Sequence, residues 1–194
     1  MKFTTIVYSL VLAASATAQT TPSGFTPATN AMLDVYYGTQ YISPGLIVKK
    51  STTAKAPVIG LTNTTLSGKY LLAMIDIDVT QNGRASTVLH ALLQDYTPSG
   101  TKQNGTSVLT TTATTPSSYF GPAPPAGAPP THRYVFLLHE QPANFAVPAA
   151  HQQAVSSRFG IDWPKFIVDA GLKAPIAGNY LQVKSGDNTK RWEA

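Results

Sequence analysis

Five polar side chains sit inside runs that are otherwise apolar. Asp76 and Asp78 fall late in Tyr70 to Val79 (YLLAMIDIDV), His90 lies in the middle of Ser86 to Asp95 (STVLHALLQD), and His132 and Tyr134 open His132 to Glu140 (HRYVFLLHE). Burying such groups is costly unless they are paired or functional. If the runs are strands, side chains two apart share a face. Asp76 and Asp78 then point the same way at the end of one strand. His132 and Tyr134 share one face of another, with Arg133 and His139 on its opposite face. Bringing the ends of these strands together would gather two carboxylates, two imidazoles and a phenol beside the loop Gly121 to Pro130, which is rich in Pro and Gly.

Such a cluster has a defined chemistry. An imidazole held at one nitrogen by an aspartate presents the other outward and is easily protonated. A tyrosine hydroxyl adds a neutral donor, and loop N–H groups add donors at fixed positions. Together these suit a small anion such as phosphate. A spare carboxylate could accept an ammonium group, so a zwitterionic headgroup fits better than a plain anion. Each residue also has a plainer reading: His90 as a satisfied core histidine, Asp76 and Asp78 as turn formers at a strand end. Only the joint arrangement favours a site. His139 and His151 carry no motif and read as structural or surface residues, and Asp162 reads as a helix cap.

The elements that would carry these residues are mostly strands. The three apolar runs read as central strands buried on both faces. Leu33 to Tyr37, Leu46 to Val48, Val58 to Leu61 and Asn179 to Lys184 read as further strands. Residues 101–118, rich in Thr and Ser, read as a long polar loop or edge. Gly121 to Pro130 cannot be helix or central strand. Asp162-Trp163-Pro164 opens a helix that Gly171 closes. The expected fold class is mostly β, a sandwich with one or two packed helices.

Composition narrows the function. The 194 residues are 43% hydrophobic and 12% charged, which argues against charge-driven disorder. Cysteine is absent, so disulfides, a zinc ribbon and a thiol nucleophile are excluded. The net charge of +5 is spread thinly, with Lys49-Lys50 and Lys190-Arg191 as the basic doublets, so no nucleic-acid partner is expected. Met1-Lys2, the apolar run Ile6 to Ala14 and Ala16-Thr17-Ala18 are the three parts of a secretory signal peptide, residues 1–18. A loose arm, 19–31, and a single domain, 32–194, would follow. Two sequons, at Asn63 and Asn104, agree with a secreted glycoprotein. No basic amphipathic helix or lipidation signal occurs, so only weak, reversible lipid contact is expected.

The motifs resemble those of the phosphatidylethanolamine-binding protein family. The resemblance rests on Asp76-Ile77-Asp78, on Leu89-His90-Ala91-Leu92-Leu93, and on Gly121-Pro122-Ala123-Pro124-Pro125-Ala126-Gly127. It continues through His132-Arg133-Tyr134-Val135-Phe136-Leu137-Leu138-His139-Glu140-Gln141 and Pro175-Ile176-Ala177-Gly178-Asn179-Tyr180. The matches fall in family order from about residue 70 to 184. The resemblance implies a β-sandwich with a small anion pocket at one end. Asp76, His90, His132 and Tyr134 would line it, Asp78 would lie near, and Pro124 and Pro125 would form part of its rim. It also implies phosphate-bearing or phospholipid-headgroup ligands, or inhibition of a serine carboxypeptidase. Two departures stand out. Both prolines of the family's D-P-D-x-P are missing from Asp76-Ile77-Asp78-Val79-Thr80, and the segment from Gly127 to His132 is one residue longer than common.

The reading is therefore a secreted, monomeric, non-enzymatic binding protein without metal or other cofactor. The alternative is an inhibitor of an exported peptidase acting through its surface, the 19–31 arm included. A hydrolase or metal enzyme ranks below both, because no H-x-x-x-H, H-E-x-x-H or G-x-S-x-G pattern occurs.

Overall fold

The computed structural model describes residues 19–127 and 129–187. The expected leader, 1–18, lies outside the described residues. Among those residues, β1 (Asp34–Tyr37), β2 (Gln40–Tyr41), β3 (Leu46–Val48), β4 (Val58–Thr62) and β5 (Tyr70–Gln81) come first. Next are β6 (Arg84–Gln103), β7 (Thr106–Thr110), β8 (Pro116–Ser117) and β9 (Thr131–Glu140). Two short helices, α1 (Gln152–Ser157) and α2 (Trp163–Asp169), precede β10 (Ala177–Lys184). The strands run β2-β1-β4-β7-β6-β5-β9-β10-β3, with β8 pairing onto β6. The 20-residue β6 pairs with β5 in one layer and with β7 in the other, so the curled sheet closes over itself as a sandwich.

Alternation in the central strands builds two cores. Leu72 and Met74 of β5 and Tyr134, Phe136 and Leu138 of β9 face the sandwich interior, against Val35, Ile59 and Leu109 of the other layer. The intervening Leu71, Ala73, Ile75, Val135 and Leu137 face outward onto Trp163 and Phe166 of α2 and Val155 of α1. Apolar residues on both faces are what a strand between two packed layers requires. Asp162 caps α2 as expected, its carboxylate accepting from Lys165 N at 3.1 Å. The helix α1 has no counterpart in the sequence reading.

Two expectations change here. Residues 101–118 contain β7, because Ser107 and Leu109 find partners in β4 and β6; Thr and Ser satisfy a strand as well as a loop once neighbours complete the ladder. The 19–31 arm, expected to be loose, is docked. Thr20 Oγ1 donates to Thr29 O and Ala31 O, and Thr29 N donates to Thr21 Oγ1, so hydroxyls satisfy the backbone where no ladder exists. Thr20 and Thr21 are buried against β10, where Gly178 leaves room: a Cβ there would lie 2.7 Å from Thr29 Cγ2.

The same close approach joins β4 to β7. A Cβ on Gly60 would collide with the backbone oxygen of Ser107. Gly60→Ala is expected to cost about 1–3 kcal/mol through overpacking, read from the urea midpoint; an unchanged midpoint would refute the contact.

Candidate functional site

The ends of β5, β6 and β9, the loop after Gly121 and the residues following α1 enclose a pocket of about 500 Å³. Asp76, Asp78, His90, His132, Tyr134, Pro124 and Pro125 all line it. The sequence reading missed Phe120, Arg158 and Phe159, which line it too.

At the floor, Asp76 on β5 lies opposite Tyr134 on β9. Its Oδ2 accepts from His132 Nδ1 at 2.7 Å, and its Oδ1 accepts the Asp78 N–H at 2.9 Å. Both Asp76 and His132 are buried. Burial pushes the Asp76 carboxyl above its ordinary value, and the hydrogen bonds from Asp78 and His132 offset this only partly. With Nδ1 committed to the carboxylate, His132 has Nε2 left to meet a ligand. Tyr134 is completely buried, and among the described residues its hydroxyl has no hydrogen-bond partner of good geometry. The Asp76 carboxylate is its charged neighbour. Burial first, then that negative charge, hold the phenol well above its usual pKa, so it is a fixed neutral donor.

His90 owes its position to a bulge. Met74 pairs with Ala91 and Ile75 with Leu89, so His90 is the extra residue of β6. Bulges re-aim side chains in this way. The ring stacks on Phe120 with centroids 3.9 Å apart and meets Tyr134 edge-on at 4.9 Å. Its Nδ1 lies 2.9 Å from Phe120 O, and a carbonyl can only accept, so Nδ1 carries the proton and Nε2 a lone pair. Burial depresses its pKa to about 4, the charges of Arg158 and His132 add to the effect, and the Phe120 carbonyl opposes it. The imidazole is neutral at pH 7. The expectation of an easily protonated imidazole applied to one held by an aspartate; His90 is held by a carbonyl and is buried behind Phe120.

Asp78 departs from the period-two expectation. Asp76 pairs with Val88 but Val79 with Ser86, so β5 carries an extra residue between them. This bulge turns Asp78 to Arg133 instead of beside Asp76. Arg133 Nε and backbone N both donate to Asp78 Oδ2 at 2.8 Å. Burial alone would raise the Asp78 carboxyl, but the Arg133 hydrogen bonds and charge outweigh it, and its pKa falls below the ordinary value. The carboxylate foreseen as a spare acceptor for ammonium is thus already neutralised.

The mouth is largely apolar. Pro124 is buried and Pro125 exposed; the Pro124 carbonyl accepts from Gly186 N at 3.1 Å, which ties the loop to the end of β10. Arg158 ends α1 with a left-handed backbone, φ +70°. Its guanidinium donates to Ser118 O at 2.8 Å and Ser118 Oγ at 3.0 Å, and lies 4.9 Å from the Phe120 ring centre. An aromatic just before the Gly-Pro loop was the one available signal for Phe120. Arg158-Phe159 stand in no motif.

The remaining predicted positions lie elsewhere. His139 is buried under Trp163, with Nδ1 on Lys173 O, and His151 pairs with Asp169 at 2.7 Å; both are structural. Asn63 and Asn104 are exposed, each with positive φ at a turn. Among the described residues, no group of three His, Asp or Glu side chains could hold a metal ion. None of the helices they form is long and apolar enough to cross a membrane.

Comparison with known proteins agrees with this architecture. The chain is 31% identical over 192 residues to the phomoidride biosynthesis cluster protein N of Talaromyces stipitatus, covering 90% of this chain and 95% of that protein. It is 31% identical over 118 residues to a 26 kDa secreted antigen of Toxocara canis, covering 59% of this chain and 41% of that protein. In structure it is similar to a carboxypeptidase Y inhibitor crystallised with its cognate proteinase. The TM-score is 0.63 at 21% identity, over 81% of this chain and 85% of that one. A phosphatidylethanolamine-binding protein from Plasmodium vivax gives a TM-score of 0.50 at 18% identity, over 79% and 84%. These two structural likenesses speak for the fold. The family's sequence profile, phosphatidylethanolamine-binding protein, matches residues 15–182. With its curled sandwich and two short helices, the chain belongs to the phosphatidylethanolamine-binding protein family.

Proposed function

We propose that the protein is a secreted, non-enzymatic binding protein whose pocket takes the anionic head of a small phosphate-bearing or phospholipid-headgroup ligand. The observation that carries this reading is the Tyr134 hydroxyl. It is buried and, among the described residues, without a hydrogen-bond partner of good geometry, beside the Asp76–His132 pair at the floor of a pocket of about 500 Å³. A buried hydroxyl without a partner costs about 1–3 kcal/mol, and an oxygen of the ligand would recover that. His132 Nε2 and Arg158 supply further polar contacts, with Pro124 and Pro125 at the rim. Export is supported by the leader pattern at residues 1–18 and by the secreted-antigen name of one relative.

The test is an NMR titration of residues 19–194 with phosphorylethanolamine. Saturable shifts at both His90 and His132, lost in His132→Ala, are expected. No shift at either imidazole would overturn the reading.

Peptidase inhibition is the second reading, favoured by the likeness in fold to the carboxypeptidase Y inhibitor. The docked 19–31 arm offers less free chain for it than the sequence suggested. Inhibition of a serine carboxypeptidase that survives His132→Ala would select it over the pocket.

A further inference from the structure

The mouth of the pocket carries more aromatic surface than a headgroup needs. Phe120 is 37% exposed and Phe159 45% exposed, and both line the same cavity. Exposed aromatic rings in a concave site are unusual unless something covers them. The cavity also lies within the size range of organic ligands, whereas a phosphate group would occupy only its floor.

Charge points the same way. Asp78 is neutralised by Arg133, and Asp76 is engaged by His132. Among the described residues, Arg158 lines the pocket with no carboxylate partner; its hydrogen bonds go to Ser118 and to the Leu89 carbonyl. Its guanidinium is therefore available to meet one negative charge on a ligand. His90 Nε2 can only accept, so the ligand must also bring a donor: a protonated acid oxygen or a hydroxyl. Flat groups form the wall: His90 stacks on Phe120, and the Arg158 guanidinium covers that ring at 4.9 Å. Planar surfaces of this kind hold aromatic bodies better than flexible alkyl ones.

We propose that Phe120, Arg158 and Phe159 form a second subsite that holds the aromatic body of an aryl monoanion, with its acidic head on Tyr134, His132 and His90. This rests on the head pocket being a binding site and adds the class of ligand.

The test is calorimetry at about pH 5, where phosphate monoesters with a second pKa of about 6 are mostly monoanions that keep one P–OH, on residues 19–194 with inorganic phosphate, phosphorylethanolamine, phenyl phosphate and butyl phosphate. Phenyl phosphate is expected to bind roughly tenfold more tightly than phosphate or phosphorylethanolamine, and more tightly than butyl phosphate. Phe159→Ala, an exposed change that leaves the core untouched, is expected to shrink the phenyl-to-phosphate ratio to about twofold. Equal affinity of phosphate and phenyl phosphate would overturn the subsite and leave the head pocket standing. Butyl phosphate matching phenyl phosphate would overturn its aromatic character. Salt-resistant co-sedimentation with phosphatidylethanolamine vesicles would replace it with a lipid surface. No binding of any probe would overturn the head pocket, and the subsite with it.

Discussion

Asp76→Ala is expected to lower the stability of the folded protein by about 3–5 kcal/mol. The carboxylate accepts from two donors, the Asp78 N–H and His132 Nδ1, and lies in a buried environment. Truncation leaves both without a partner, and each buried orphan costs about 1–3 kcal/mol. It also removes the group that fixes the His132 tautomer, so anion binding is expected to disappear. Urea denaturation of the single variants and of Asp76→Ala with His132→Ala gives the coupling between the two residues. Independent, additive losses would show that the pair does not act as a unit. A loss below about 1 kcal/mol for Asp76→Ala would show that water replaces the carboxylate.

His90 is expected to make stability strongly dependent on pH. Its pKa is about 4 in the fold and near 6.5 in the unfolded chain. Between these values the unfolded chain binds a proton that the folded protein does not. Stability therefore falls as pH drops from about 6.5 to about 4 and levels off below, where both states are protonated. At about 1.4 kcal/mol per unit, the loss is about 3 kcal/mol. His139, also depressed by burial, acts in the same direction. Asp76, raised by burial, acts in the opposite one. Comparison with His90→Gln isolates the His90 share, because glutamine can still donate to Phe120 O. Its stability is expected to change with pH by about 3 kcal/mol less than that of the unaltered protein across this window. Parallel curves for the two proteins would overturn the assignment.

Both expectations concern residues that were visible in the sequence, yet neither follows from the sequence alone. That His132 and Tyr134 share a face was legible, because β9 runs without interruption and alternation holds along it. The same rule failed for Asp78. An extra residue in β5 after Asp76 breaks the alternation, and no residue type marks it, since Ile77 and Val79 suit a regular strand equally well. His90 was legible as a polar residue in an apolar run. Its neutrality was not, because that depends on burial behind Phe120, thirty residues away, and on the charge of Arg158.

Local residue patterns suffice for the central strands β5 and β9, the helix opened by Asp162 and the Pro-rich loop. Strands apolar on both faces fit only between two layers, a cap needs only its own helix, and proline excludes ladder and helix locally. What those elements do together depends on their packing. Arg158 reaches Phe120 from the far side of the chain, Gly178 admits the 19–31 arm, and Arg133 claims Asp78. Each of these depends on distances between segments remote in sequence, which patterns of residue type do not encode.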